Sequence, residues 1–363
     1  MSVLLAHKRR LVVEQHVIEL PKRVVVGDGV LKSIGAHMKE MFKEGSAVLV
    51  VTGPHVLNTL YNEVKELLED SGFSVSYTLA GPATVEEAVR LAEEASREKV
   101  DVLLGLGGGR SIDLAKYAAA ESGKEFVSVP TAPSHDGITS PFATLHGFER
   151  PYSKLAKPPK LLLLDIDVIS SAPRRLASAG FGDLIGKYTA VLDWKLAHNL
   201  RGEYYGAYAA SLALMSAKHV SAYAKKIGLG SKDGVRALVE ALVSSGVAMC
   251  IAGSSRPASG SEHLFAHALE TISESPPLHG EAVGVGTILM SYLYGMRWKE
   301  IRRLLKEAGA PVNAKELGVN NDEVIEALVR AASIRPERYT ILGERGLTRE
   351  AAEELATKTM VIE

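Results

Sequence analysis

Residues 102–113 read VLLGLGGGRSID, and residues 126–142 read FVSVPTAPSHDGITSPF. Each stretch opens with an apolar run of strand length and passes directly into a polar turn. In an open parallel sheet, turns at the carboxyl ends of neighbouring strands line one crevice. The two stretches therefore predict an α/β sheet, with a binding site where the strands over 102–106 and 126–130 end.

The chain on either side of these stretches divides into two unlike halves. Further strands are predicted over 47–51, 73–78 and 161–164, with helices over 56–68 and 85–95 between them. Such alternation implies a parallel sheet with helical crossovers. After Pro173 helical periodicity dominates, and helices are predicted over 207–224, 233–252, 262–272, 282–294, 322–332 and 349–358. We predict a sheet domain over residues 1–170 and a helical domain over 171–363, with a small-molecule site between them.

Composition narrows the class of protein. The chain has 363 residues, 46% of them hydrophobic, and a net charge of −1, which gives no electrostatic footprint for nucleic acid. No stretch is predicted to span a membrane, and no apolar leader follows Lys8, Arg9 and Arg10. The single cysteine, Cys250, lies in an apolar run and reads as a core residue of a protein in a reducing interior.

The glycine run Gly105–Asp113 departs from the usual dinucleotide fingerprint, because Arg110 occupies the place of the third glycine. Glycines still permit close approach of the backbone, and the free amides at the start of the next helix attract a pyrophosphate. A plain turn is the alternative reading. No acidic residue follows the strand over 47–51, so weak discrimination between NAD(H) and NADP(H) is expected.

A second cluster lies in the helical half. His263 and His267 are one helical turn apart, His279 follows after two prolines, and Asp183 lies far upstream. Three imidazoles and a carboxylate could form a metal site, although core histidines are a common alternative. Spacing does not decide which two histidines are ligands, nor between zinc and ferrous iron. A metalloprotease is excluded, because Leu264 stands where that motif needs glutamate.

Taken together, the motifs GLGGGRSID, PTAPSHDGITSPF, AGFGDLIGKYTAVLDW, SEHLFAHALE and HGEAVGVG resemble the sn-glycerol-1-phosphate dehydrogenase family. That family is a branch of the superfamily of metal-dependent glycerol dehydrogenases and dehydroquinate synthase. The resemblance spans roughly residues 20 to 345. It implies an α/β fold with an N-terminal parallel-sheet nucleotide-binding domain and a C-terminal all-helical metal-binding domain.

The resemblance also implies roles for particular residues. Asp183, His263 and His279 would bind a catalytic Zn²⁺, and Asp183, His267 and Asp136 would contact the substrate as catalytic residues. The NAD(H) or NADP(H) cofactor would be lined by Gly107, Gly108, Gly109, Arg110, Ser111, Ile112, Asp113, Thr131, Ala132, Pro133, Ser134 and Ser140. The implied reaction is reduction of dihydroxyacetone phosphate to sn-glycerol 1-phosphate, with His267 or a water it orders supplying the proton.

Such a product serves archaeal ether phospholipid synthesis, which implies a cytoplasmic enzyme; a homo-oligomer is also expected. Lys187, one helical turn after Asp183, is the candidate for holding the substrate phosphate. Three alternatives remain: a dehydrogenase of unphosphorylated glycerol, a dehydroquinate synthase, and a non-catalytic nucleotide-binding module. The sequence leaves the preferred cofactor, the native metal and the oligomeric state open.

Overall fold

A computed structural model of the chain describes residues 16–147 and 152–363. Its central sheet has six parallel strands in the order β1-β8-β5-β4-β2-β3. The strands are β1 (Arg23–Gly27), β2 (Ala47–Thr52), β3 (Ser74–Leu79), β4 (Val102–Gly107), β5 (Glu125–Pro130) and β8 (Leu161–Asp165). β6 (Phe142–Leu145) and β7 (Tyr152–Leu155) form a separate antiparallel pair. The predicted parallel sheet is confirmed, whereas β1 and the separate β6–β7 pair were not predicted.

Hydrophobic burial holds the sheet between two helical layers. β4 and β8 are buried along their whole length, as parallel strands covered on both faces must be. Leu103 of β4 packs with the helices on one face, whereas Leu104 packs with those on the other. β4 lies between β2 and β5, so the carboxyl ends of these three strands meet at one edge.

Helices make up the rest of the fold, with short 3₁₀ turns over Val30–Ser33 and Asp136–Ile138 and a π-helical segment over Leu57–Tyr61. Those between strands or directly after β8 are α1 (Ile34–Lys39), α2 (Pro54–Val56), α3 (Asn62–Glu69), α4 (Val85–Arg97), α5 (Gly109–Glu121) and α6 (Ile166–Ser170). The later ones are α7 (Arg174–Ile185), α8 (Lys187–Arg201), α9 (Ala207–Ser221), α10 (Ala224–Gly228), α11 (Lys232–Ala252), α12 (Ser261–Ile272), α13 (His279–Leu293), α14 (Trp298–Glu307), α15 (Ala314–Leu317), α16 (Asn321–Ile334) and α17 (Arg349–Lys358).

The described residues after β8 form helices and connecting segments, as predicted. Their core is continuous with one face of the sheet, because Ile138, Leu162 and Leu164 belong to the same hydrophobic cluster as the helices. Hydrophobic packing thus continues across residue 170, and the domain boundary placed there stays a prediction. Cys250 is buried in α11 as expected, and burial raises its pKa to about 12.

Among the described residues, one helix is long and apolar enough to cross a membrane by length and composition alone. This helix is α11, and 67% of its most apolar window is buried inside the protein. Its side chains Leu238 and Leu242 belong to the helical core. The burial is that of a core helix.

Candidate active site

The predicted metal donors come from three helices that meet beside the sheet edge. Asp183 lies on α7, His263 on α12, and His279 opens α13. Ligand atoms of the three side chains lie within 4.8 Å of one another, and His263 Nε2 is 3.3 Å from Asp183 Oδ1. Two imidazoles and one carboxylate fit a divalent transition metal and leave it an open coordination position.

Glycines let α7 and α13 approach closely enough to bring these donors together. A Cβ atom at Gly182 would lie 2.2 Å from the carbonyl oxygen of Gly280, and one at Gly280 would lie 2.0 Å from that of Ala179. Both distances are far inside van der Waals contact. The backbones therefore touch where any side chain would separate Asp183 from His279.

Each histidine near the candidate metal position has a carboxylate partner at its other ring nitrogen. Glu262 Oε1 lies 2.8 Å from His263 Nδ1. Glu270 contacts both other rings: Oε1 is 2.8 Å from His279 Nδ1, and Oε2 is 3.0 Å from His267 Nδ1. His267, Glu270 and His279 form a second, overlapping group of possible metal donors.

The two aspartates predicted to meet substrate share a buried lysine. Lys187 Nζ donates to Asp136 Oδ2 at 2.9 Å, to Asp183 Oδ1 at 3.2 Å and to the Asp183 carbonyl at 2.9 Å. Burial lowers the pKa of Lys187, but the two carboxylates outweigh it, and the net pKa is raised. All three ammonium protons thus have protein acceptors. Lys187 is a counter-ion of the aspartates, and the prediction that it binds a phosphate is wrong.

The glycine run joins β4 to α5 at the sheet edge. Gly107 has φ 149°, a conformation that favours glycine. A Cβ atom at Gly108, the residue before α5, would meet nothing within 4 Å, so this turn offers open space to a ligand. Arg110 is exposed and extends towards β2, since its Nη2 lies 3.8 Å from the Cβ position of Gly53. A cation, instead of an acid, therefore lies near the end of β2.

One cavity connects the glycine turn to the candidate metal donors. Among its lining residues are Gly108, Gly109, Arg110, Asp113, Ala132, Ser134, Asp136, Ser140, Asp183, His263 and His279. A neighbouring cavity also touches Gly108 and Ala132 and adds Thr131. Gly107, Ser111, Ile112, Pro133 and His267 lie close by without lining either cavity. Most of the predicted cofactor residues and all of the predicted metal donors thus face one crevice.

His267 is the predicted catalytic residue that does not line the cavity. Its ring centre is 5.1 Å from that of His279, but its side chain is buried behind the wall. Burial lowers the pKa of His267 to about 4 against the opposing charge of Glu270. The ring is therefore neutral at neutral pH.

Sequence reasoning missed several polar residues of the site. His135 lines the cavity, although it was not among the predicted site residues. Its Nε2 lies 3.7 Å from Asp113 Oδ2, and Asp113 accepts a 2.9 Å hydrogen bond from the fully buried Lys116. Glu262 and Glu270 were also missed. The spacing of Glu270, three residues after His267 on a helix, is the one signal that could have found it.

Comparison with known proteins agrees with this geometry. Residues 25–173 match the family model described as iron-containing alcohol dehydrogenase. Two solved structures share the fold. The first is a glycerol dehydrogenase from Schizosaccharomyces pombe, with a TM-score of 0.77 and 19% sequence identity over 95% of this chain and 90% of that one. The second is a sulfoacetaldehyde reductase from Bifidobacterium kashiwanohense in complex with NAD⁺, with a TM-score of 0.71 and 16% sequence identity over 96% of this chain and 100% of that one. The fold is thus that of the iron-containing alcohol dehydrogenase class.

Full-length relatives narrow that class further. A glycerol-1-phosphate dehydrogenase (NAD(P)⁺) of Aeropyrum pernix is 62% identical over 347 residues, which cover 96% of this chain and 99% of the relative. The protein of the same name from Hyperthermus butylicus is 53% identical over 347 residues, which again cover 96% of this chain and 99% of the relative. The chain belongs to the glycerol-1-phosphate dehydrogenase family, and the resemblance seen in its sequence is confirmed.

Proposed function

We propose that this chain catalyses the reversible NAD(P)H-dependent reduction of dihydroxyacetone phosphate to sn-glycerol 1-phosphate by zinc-assisted hydride transfer. The observation that carries the proposal is the single cavity that joins the glycine turn at Gly108 to the donors Asp183, His263 and His279. Relatives named for this reaction support the choice of substrate.

Asp183, His263 and His279 would hold the ion. A zinc ion held there supplies Lewis acidity towards a ketone oxygen. Asp136 would position the substrate: its Oδ2 is fixed by Lys187 and by Ser245 Oγ at 2.9 and 2.7 Å. No hydrogen bond joins Asp136 Oδ1 to the described part of the chain, so this oxygen can accept one from a substrate hydroxyl.

The proton that completes the reduction would come from the water side of the site. His267 stays our candidate for the residue that supplies this proton, either directly or through a water that it orders. Because its ring is neutral and lies behind the cavity wall, a water ordered by His267 suits this role better than direct transfer from an imidazolium. Glu270 would hold that ring in place through Nδ1.

The cavity wall before α12 offers donors for the substrate phosphate. Ser255 and Ser259 both line the cavity. Arg338 donates to the Ser255 hydroxyl at 2.9 Å and to the Ser259 carbonyl at 2.6 Å. A hydroxyl that accepts from a guanidinium keeps its own proton for another acceptor, and the arginine charge polarises it. We assign this wall, Ser255, Ser259 and Arg338, to the phosphate end of the substrate.

Ser255→Ala is therefore expected to raise the KM for dihydroxyacetone phosphate by about 10- to 100-fold, the equivalent of one hydrogen bond to a charged group. The KM for NADPH should not change. Steady-state kinetics check this, with Ser254→Ala as the matched control, because Ser254 belongs to the same loop but does not line the cavity. Equal effects of the two substitutions would contradict the assignment.

The proposed reaction is tested by the oxidation rate of reduced nicotinamide with dihydroxyacetone phosphate, dihydroxyacetone or glycerol as the partner. We expect chelator-sensitive turnover of the phosphorylated ketone, restored by Zn²⁺. NADH and NADPH should both serve, because the end of β2 carries no acid and Arg110 lies nearby. Turnover of only unphosphorylated substrates would assign the chain to glycerol dehydrogenase. Turnover that resists chelation would show that the reaction needs no metal.

The proposal extends to the cellular setting. The product would supply ether phospholipid synthesis in an archaeal cytoplasm. A homo-oligomer belongs to the proposal as well, and the exposed apolar side chains Leu200, Tyr208 and Met215 on α8 and α9 support it.

A further inference from the structure

Glu270 links the two helices that carry the histidines of the site. It lies on α12, one turn after His267, and reaches His279 at the start of α13. Its two carboxylate oxygens contact different rings, Oε1 at 2.8 Å from His279 Nδ1 and Oε2 at 3.0 Å from His267 Nδ1. The side chain is only 15% exposed, so water competes little for either contact.

An ionised carboxylate only accepts hydrogen bonds. Both Nδ1 atoms must therefore carry a proton, which leaves the Nε2 lone pair of each neutral ring available. We infer that Glu270 is a positioning residue that fixes the tautomer of His279 and His267 together, and thereby makes His279 Nε2 a metal donor. This inference rests on the proposed metal site, and it adds Glu270 to the residues that hold the metal donors in position.

The same contact decides between the two overlapping donor groups. The group His267, Glu270 and His279 would require Glu270 to bind the ion, but both of its oxygens are already at hydrogen-bond distance from protonated ring nitrogens. Glu262 holds His263 in the equivalent way, at 2.8 Å from Nδ1. The geometry thus favours an ion at Asp183, His263 and His279, with Glu270 outside its coordination sphere.

Substitution of Glu270 by glutamine separates tautomer control from simple packing. Glutamine has almost the same shape, but its amide offers one acceptor and one donor in place of two acceptors. One of the two rings must then move its proton to Nε2. Aspartate is shorter and packs less well, yet it keeps two accepting oxygens.

The experiment measures the Zn²⁺ dissociation constant of the full-length protein by chelator competition, with Co²⁺ absorption spectra as a second readout. We expect E270Q to weaken Zn²⁺ binding by about 10- to 100-fold, as loss of an outer-sphere partner typically does. E270D should bind Zn²⁺ more tightly than E270Q. A purely structural role predicts the opposite order, because the isosteric glutamine would then be the milder change.

Glu274→Gln is the matched control, because Glu274 is an exposed acid close by in sequence; its substitution should leave the Zn²⁺ dissociation constant unchanged. Thermal unfolding of each metal-free variant shows whether the fold persists. Wild-type Zn²⁺ affinity in E270Q, or weaker binding in E270D than in E270Q, would overturn the tautomer inference alone. Failure of the unsubstituted protein to bind Zn²⁺ or Co²⁺ would overturn the metal site and the inference together.

Discussion

Asp183→Asn should lower kcat for dihydroxyacetone phosphate by at least about 10³-fold, even with Zn²⁺ in excess. The substitution removes the single carboxylate among the three candidate metal donors, and a catalytic ion contributes several kcal/mol of charge stabilisation in the transition state. It also removes one of the two negative charges that face the fully buried Lys187. The kcat and the metal content of the purified variant should fall together.

Steady-state kinetics and elemental analysis check this result. Asp233→Asn is a suitable control, because Asp233 is 76% exposed and pairs with Lys226 on the surface. It should retain full metal content and activity. If Asp183→Asn turned over within about tenfold of the unsubstituted enzyme, Asp183 would have no place among the metal donors.

The second large effect is on stability. Asp113→Asn should lower the free energy of unfolding by about 3–5 kcal/mol, because it leaves a buried ammonium without an anion. Lys116 is completely buried and donates to Asp113 at 2.9 Å and to the carbonyl oxygens of Gly137 and Phe142 at 2.6 Å each. The lysine thus also fixes the segment that carries Asp136.

The same pair predicts a pH dependence. Burial raises the pKa of Asp113, but Lys116 and His135 outweigh it and bring the pKa down to about 2. Between the unfolded value near 3.9 and about 2, the folded protein binds fewer protons than the unfolded chain. Stability that is fully present above about pH 4 is therefore lost as the pH falls through this window. Asp113→Asn should lack this part of the acid sensitivity.

Urea unfolding at neutral pH and across the acid range measures both effects. The double variant Asp113→Asn/Lys116→Met is the control, because replacing both partners of a buried ion pair is often close to neutral. It should recover most of the stability lost in the single variant. A single variant within about 1 kcal/mol of the unsubstituted protein would show that the other contacts of Lys116 suffice.

Much of the sheet could be predicted, because buried parallel strands appear in sequence as short apolar runs between turns. The strands predicted over 102–106 and 126–130 are β4 and β5, and the crevice at their ends follows from the same pattern. α7 was not among the predicted helices. Gly180 and Gly182 lower its helical propensity, and close packing against α13 overrides that cost.

The chemistry of the site was less predictable than its location. The family resemblance implied the candidate donors Asp183, His263 and His279, but which carboxylate contacts which ring depends on how α12 and α13 pack. The prediction that Lys187 binds the substrate phosphate was wrong for the same reason. Its spacing from Asp183 was right, whereas its complete burial between two aspartates is a property of the folded protein.

The backbone contact between Gly182 and Gly280 also links metal binding to the stability of the folded protein. The donors at positions 183, 263 and 279 are remote in the unfolded chain, and they become neighbours only when α7, α12 and α13 have docked. An ion that requires all three can therefore bind tightly only to the folded state, and its binding energy adds to the folding energy. Metal supply to this enzyme would thus govern the lifetime of the folded protein as well as its turnover.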